Sequence, residues 1–143
     1  MSGEDEIQRL LDIEAIKKLR GQYTRAIDTK DWDLYAASLA EDARLATDGG
    51  VNEGRDTIVA NISAALATAK TVHHLHTPEI ELTGPDAATG TWAMNDYVDF
   101  GAFLLRGYGH YHEEYVRAAD GWKVKSSTLT RLRVDTEGEI PGR

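Results

Sequence analysis

Residues 87–100, AATGTWAMNDYVDF, decide the fold. Successive side chains of an extended chain point to opposite faces. Trp92, Met94, Asp96, Val98 and Phe100 therefore share one face, and Thr91, Ala93, Asn95, Tyr97 and Asp99 share the other. The first set is large and apolar apart from one carboxylate, as expected of a strand packed on a core. Three further runs, at about 72–82, 106–117 and 121–134, have the same wealth of Val, Thr, Tyr, Trp and Ile. Gly84-Pro85, Gly101 and Asp120-Gly121 separate the runs and predict tight turns, hence antiparallel hairpins.

Upstream of Lys70 the period changes. From Glu4 to Asp28 the apolar residues Ile7, Leu10, Leu11, Ile13, Ile16, Leu19, Tyr23 and Ile27 recur mostly every three or four positions, predicting a long amphipathic helix. Thr29-Lys30-Asp31 interrupts it. Trp32, Tyr35 and Leu39 then predict a second, shorter helix ending before Asp42. A short strand is expected at 43–47, and Asp48-Gly49-Gly50 reads as a turn. Gly54 and Asp56 precede a third helix carrying Ile58, Ile62, Ala65 and Leu66. Helices first and strands later predict an α+β fold, one domain over residues 1–143, in which a curved, mostly antiparallel sheet receives three N-terminal helices on one face.

The composition narrows the function. The 143 residues carry a formal net charge of −8 with a pI near 5.0, so a phosphate backbone would be repelled and nucleic acid is not an expected partner. The start, MSGEDEIQRL, lacks the basic and apolar regions of a signal peptide, and no run of about 18 apolar residues occurs. A cytoplasmic protein without membrane attachment is expected. The absence of cysteine removes thiolate nucleophiles and disulfides.

Eight positions stand out chemically. Asp96, set among large apolar neighbours, must find a partner or take up a proton, because an isolated buried charge is costly. The five histidines fall in two clusters, His73, His74 and His76 on one strand and His110 and His112 on another. No motif here has metal-ligand spacing, so no metal is expected. General acid–base work demands less: one imidazole and a carboxylate to orient it. Tyr23 and Asp28 lie about 140° apart on an ideal helix, which brings them together only if the helix ends before Asp28. Taken alone, Tyr23 reads as core and Asp28 as a cap.

Three segments carry a resemblance: DIEAIKKLRGQYTRAIDTKDWD (12–33), HHLHTPEIEL (73–82) and ATGTWAMNDY (88–97). They are similar to the SnoaL-like group of the nuclear transport factor 2-like superfamily, closest to its bile-acid 7-alpha-dehydratases. That resemblance implies a cone-shaped α+β barrel, no cofactor, and an acid/base site lining one pocket. It places the catalytic residues at Tyr23, at Asp28, at His73 five residues before Pro78, and at Asp96 of the Gly90-x-Trp92-x-x-x-Asp96 strand. The scytalone dehydratases are more distantly similar, through Asp28 in Asp-x-x-Asp-Trp-Asp and through His73. Their tyrosine before the aspartate is Ile27 here and their second histidine is Trp92, which argues against scytalone as substrate.

Simple alternation conflicts with a pocket-facing His73, because Ile80 and Leu82 share parity with His74 and His76. Pro78, unable to join a central ladder, marks a bulge that reverses the parity of everything before it; His76 is the substitute if it does not. Trp92, Met94, Phe100, His76, His110 and His112 are the expected substrate contacts, with Trp32 and Tyr111 as further apolar lining, for a flat hydrophobic ligand such as a steroid or polyketide-like ring. The expected reaction is elimination of water; isomerisation or cyclisation through the same enolate, and a non-catalytic binding module, are the alternatives. Tyr97, Tyr111, Tyr115, Lys123 and Lys125 are expected on an outer sheet face packed against another copy, as a homodimer or homotrimer.

Overall fold

The computed structural model describes residues 2–140; Met1 and residues 141–143, at the ends of the expected domain, lie outside them. Helix α1 runs Gly3–Thr29 and α2 Trp32–Ala37, followed by strands β1 (Leu39–Thr47) and β2 (Gly50–Glu53) and helix α3 (Arg55–Ala65). Four long strands complete the chain: β3 (Lys70–Gly84), β4 (Ala87–Asp99), β5 (Phe103–Ala118) and β6 (Gly121–Gly138). They form one six-stranded sheet in the order β2-β1-β6-β5-β4-β3. Among the described residues only the β1–β6 pairing is parallel; the others are antiparallel. β2 and β3 remain edges, so the expected barrel is a curved sheet that does not close.

Local chemistry accounts for the element ends. Ser2 caps α1 by accepting from the Asp5 amide while the Asp5 carboxylate accepts from Ser2, a reciprocal capping box. At the other end Lys30 adopts a left-handed conformation, and Asp31 accepts from the Leu34 amide to start α2. The helix thus continues through Asp28 instead of ending before it. β1 begins at Leu39, earlier than expected, and Asp48-Gly49 turns directly into the unanticipated strand β2.

Apolar side chains of α1 from Ile16 onward pack with Tyr35, Leu39, Leu45, Ile58, Tyr115, Trp122 and Val124 into the main core. Ile7, Leu10 and Leu11, expected on the same buried stripe, are exposed, because at about 100° per residue they lie about 120–180° around the helix from Ile16, whereas Asp12 falls on the buried side. Tyr111 and Tyr115 correct the outer-face expectation: both are buried on the concave side.

Candidate active site

The helices and the concave sheet face enclose a cavity of about 590 Å³. Ile27, Leu45, Ile62, Leu66, Val98, Phe100, Leu105 and Leu129 supply its apolar walls. Tyr23, Tyr35, Tyr111, His73, Asp96 and Arg131 add polar groups to the lining, with Thr47, Asp48, Asn52 and Asn61 contributed by the β1–β2 hairpin and α3.

His73 reaches this lining through a bulge. β3 pairs with β4 as Leu75↔Met94 and then Pro78↔Trp92, so three steps on one strand oppose two on the other. The extra residue reverses the alternation, and Thr71, His73 and Leu75 join Pro78, Ile80 and Leu82 on the better-buried side while His74 and His76 are exposed. His73 Nδ1 lies 2.6 Å from Asp28 Oδ1. The same carboxylate accepts from the His73 amide at 2.8 Å and from the Thr71 hydroxyl at 2.9 Å. Asp28 therefore faces β3 from the end of α1 and stands behind His73, outside the cavity lining. A carboxylate on Nδ1 selects the tautomer that leaves Nε2 as the basic nitrogen.

Asp96 faces inward as alternation demands and is buried. It meets the first of its two requirements, a partner: Arg131 Nη1 and Nη2 donate to its two oxygens at 2.7 and 3.1 Å. The pair is bidentate, each guanidinium donor facing one carboxylate oxygen in a fixed plane. Arg131 also donates to Asp48 at the β1–β2 turn. Burial works against its charge, but the bonds to Asp96 and Asp48 hold its pKa above the usual guanidinium range. Gly107, opposite Asp96 on β5, makes the room: a Cβ there would collide with Arg131 and Asp96.

Tyr23 and Tyr35 meet hydroxyl to hydroxyl at 3.2 Å. Burial pushes both phenols above their ordinary pKa, leaving them protonated hydrogen-bond donors at neutral pH.

Tyr23, His73, Asp96, Phe100 and Tyr111 of the expected residues line one cavity, with Asp28 behind His73. The others do not. Trp92 and Met94 share the inner face but are buried in a separate cluster beside Tyr111. His76 is exposed and bonded to Asn95, His112 is exposed and bonded to Thr130, and His110 lies on the same outer face. Trp32 packs edge-on to Tyr35. Among the described residues no three His, Asp or Glu side chains converge as metal ligands would. Arg131 and Asp48 escaped the sequence reading; the shared parity of Leu129 and Arg131 was the available signal for the first.

Comparison with known proteins adds to this geometry. The model of the SnoaL-like domain matches residues 8–128. The chain is similar to the terrestric acid biosynthesis cluster protein E of Penicillium crustosum, 34% identical over 130 residues, covering 84% of this chain and 83% of that protein. It is also similar to the "Probable cyclase FGR4" of Gibberella zeae, 25% identical over 133 residues, covering 82% and 89% of the two chains. Among solved structures, one from Novosphingobium aromaticivorans described as a candidate scytalone dehydratase superposes with a TM-score of 0.83 at 19% identity. That match covers 94% of this chain and 96% of that one, a likeness of fold.

Proposed function

Since this chain belongs to the SnoaL-like domain family, we propose that it is a cofactor-independent dehydratase, a His/Asp acid–base lyase for a hydrophobic hydroxy-carbonyl compound. One observation carries the reading: His73, braced through Nδ1 by Asp28, lines a largely apolar cavity that also holds Tyr23 and the Asp96–Arg131 pair.

The neutral imidazole removes the proton on carbon beside the substrate carbonyl, and the electron pair moves onto the carbonyl oxygen as an enolate. The Tyr23 phenol donates to that oxygen. The enolate then collapses, expelling the hydroxyl on the next carbon; the imidazolium returns its proton to the departing oxygen, giving an enone and water. Arg131, fixed between Asp96 and Asp48, donates to the departing oxygen as charge gathers there. Asp28 stabilises the transient imidazolium. Such acid–base and electrostatic groups contribute about 10²–10⁴ each in rate.

A flat ring system fits the apolar walls, and the steroid-like form of it rests on the resemblance to bile-acid dehydratases. Assembly as a homodimer or homotrimer belongs to the same reading. The likeness to a protein named as a cyclase favours a second reaction on the same enolate, ring closure instead of water loss.

The test incubates the protein with a panel of polycyclic β-hydroxy ketones and follows product mass and enone absorbance. The expected result is loss of one water, abolished in His73→Gln. A product of unchanged mass assigns isomerisation or cyclisation, and turnover unaffected by His73→Gln refutes the site.

A further inference from the structure

Against the inner wall of the cavity lies a cation that the proposed reaction leaves without a task. Arg20, on α1, is fully buried. Its Nε donates to Glu113 Oε1 at 2.7 Å. Glu113 also accepts from the Tyr115 hydroxyl at 2.8 Å and the Ser127 hydroxyl at 2.6 Å, so its oxygens are engaged from three sides. Arg20 Nη1 and Nη2 have no hydrogen-bond partner among the described residues. The guanidinium is held between two aromatic rings, with Cζ 4.0 Å from the Tyr23 centroid and 4.6 Å from that of Tyr111. Both tyrosines line the cavity.

A planar guanidinium stacked on two phenol rings constrains both and places a permanent positive charge behind them. Removed from water, that charge acts through a low effective dielectric and is felt strongly at the hydroxyl ends. Glu113 alone would satisfy a purely structural ion pair through one guanidinium nitrogen. The remaining two nitrogens and the placement between two cavity-lining rings exceed that need.

We infer that Arg20 is a positioning residue that makes Tyr23 and Tyr111 a paired oxyanion-binding site, holding both rings and backing both hydroxyls with its charge. The inference rests on the reading of His73 as the base that generates an enolate. It adds Tyr111 to the groups that contact the substrate oxygen. It also explains why the phenols are protonated yet not electrostatically isolated: burial raises the Tyr23 pKa, Arg20 and the hydrogen bond with Tyr35 pull against that rise, and Glu113 adds to it. Tyr111 is raised by burial as well, with Arg20 opposing and Tyr23, Asp96 and Glu113 reinforcing.

The test places 3,5-difluorotyrosine, a more acidic phenol, at position 23 and titrates it by fluorine NMR in the full chain. Arg20→Met raises the midpoint by about one unit or more, because the opposing charge is gone. Glu113→Gln lowers it, because the reinforcing charge is gone. A midpoint that stays put in both variants, or moves the same way in both, shows that the Arg20 charge does not act on the phenol and overturns the inference. Arg20→Lys keeps the cation and stays near the native midpoint. Where Arg20→Met does not fold, a midpoint that fails to drop in Glu113→Gln is sufficient to overturn it. Opposite shifts at position 23, combined with turnover insensitive to His73→Gln, leave the electrostatics of Arg20 standing and remove the reaction instead.

Discussion

Asp28 holds His73 at two points, one carboxylate oxygen 2.6 Å from ring Nδ1 and the other accepting from the His73 backbone amide at 2.8 Å. The second contact ties the imidazole to its own strand, so the ring is aimed by backbone as well as side chain. Asp28→Asn keeps the shape but offers an amide where a full acceptor is required. Turnover of the hydroxy ketone should fall by about 10²–10⁴. Nitrogen NMR of His73 should show loss of the single tautomer, with melting temperature changing little. Full turnover in a folded Asp28→Asn would remove the carboxylate from the mechanism.

Gly107 tests the Asp96–Arg131 pair from the backbone side. It sits opposite Asp96 on β5, and a Cβ would enter the space of the guanidinium and carboxylate. Gly107→Ala should cost about 1–3 kcal/mol by overpacking, measured by urea unfolding. Arg131→Met should cost more, about 3–5 kcal/mol, because it strands the Asp96 carboxylate in an apolar wall. The opposite ranking would mean that the cavity solvates Asp96 well without its partner.

Much of this site was legible from residues, and the failures have identifiable causes. Asp96 was placed by strand parity alone. His73 is placed by the family resemblance against simple alternation, and the physical reason that lets it face the cavity is Pro78, since a proline inside a strand run makes an irregular ladder expected. Tyr111 and Tyr115 were misassigned because β5 has no apolar face to read: Gly107, Gly109 and Glu113 share the inner side with the tyrosines, while Tyr108, His110 and His112 share the outer. Arg131 was hidden because its meeting with Asp96 depends on the register of three strands, including an irregularity at Tyr108/Gly109. Helical periodicity counts Ile7, Leu10 and Leu11 as buried, since spacings of three or four drift around the helix when strung together, and these three end about 120–180° from Ile16.

Asp12 gives a pH-dependent prediction away from the cavity. Its carboxylate, on α1, accepts from Arg117 at 2.7 Å, Gln8 at 3.0 Å and the Trp122 ring N–H at 3.4 Å, fastening the helix to β5 and β6. Burial favours the neutral acid, but the bonds from Arg117, Gln8 and Trp122 outweigh it and hold the pKa below the ordinary value of 3.8. A group depressed on folding stabilises the fold fully above its unfolded pKa, about 3.9, and loses that contribution as pH falls through the folded value. The native protein should therefore melt above Asp12→Asn at about pH 6, and the gap should narrow below about pH 4. A gap constant across that range would show that the carboxylate charge contributes nothing to the attachment.

The bulge in β3 is the last feature with a distinct expectation. Between Leu75↔Met94 and Pro78↔Trp92 the strand carries one surplus residue, and that surplus permits both His73 and Ile80 to face the concave side. Deletion of Thr77 restores strict alternation. The chain must then choose: the half before the bulge rotates and turns His73 toward the exposed side now held by His74 and His76, or the half after it rotates and withdraws Ile80 and Leu82 from the core. The first choice costs the His73–Asp28 contact and with it turnover; the second costs the core contacts of two half-buried aliphatic side chains, each below the about 2–5 kcal/mol of a fully buried one. Hydrogen exchange along β3 with the His73 nitrogen spectrum identifies which half moved. Native stability together with an intact His73–Asp28 hydrogen bond in the deletion variant would show that alternation along β3 does not govern which side chains reach the site.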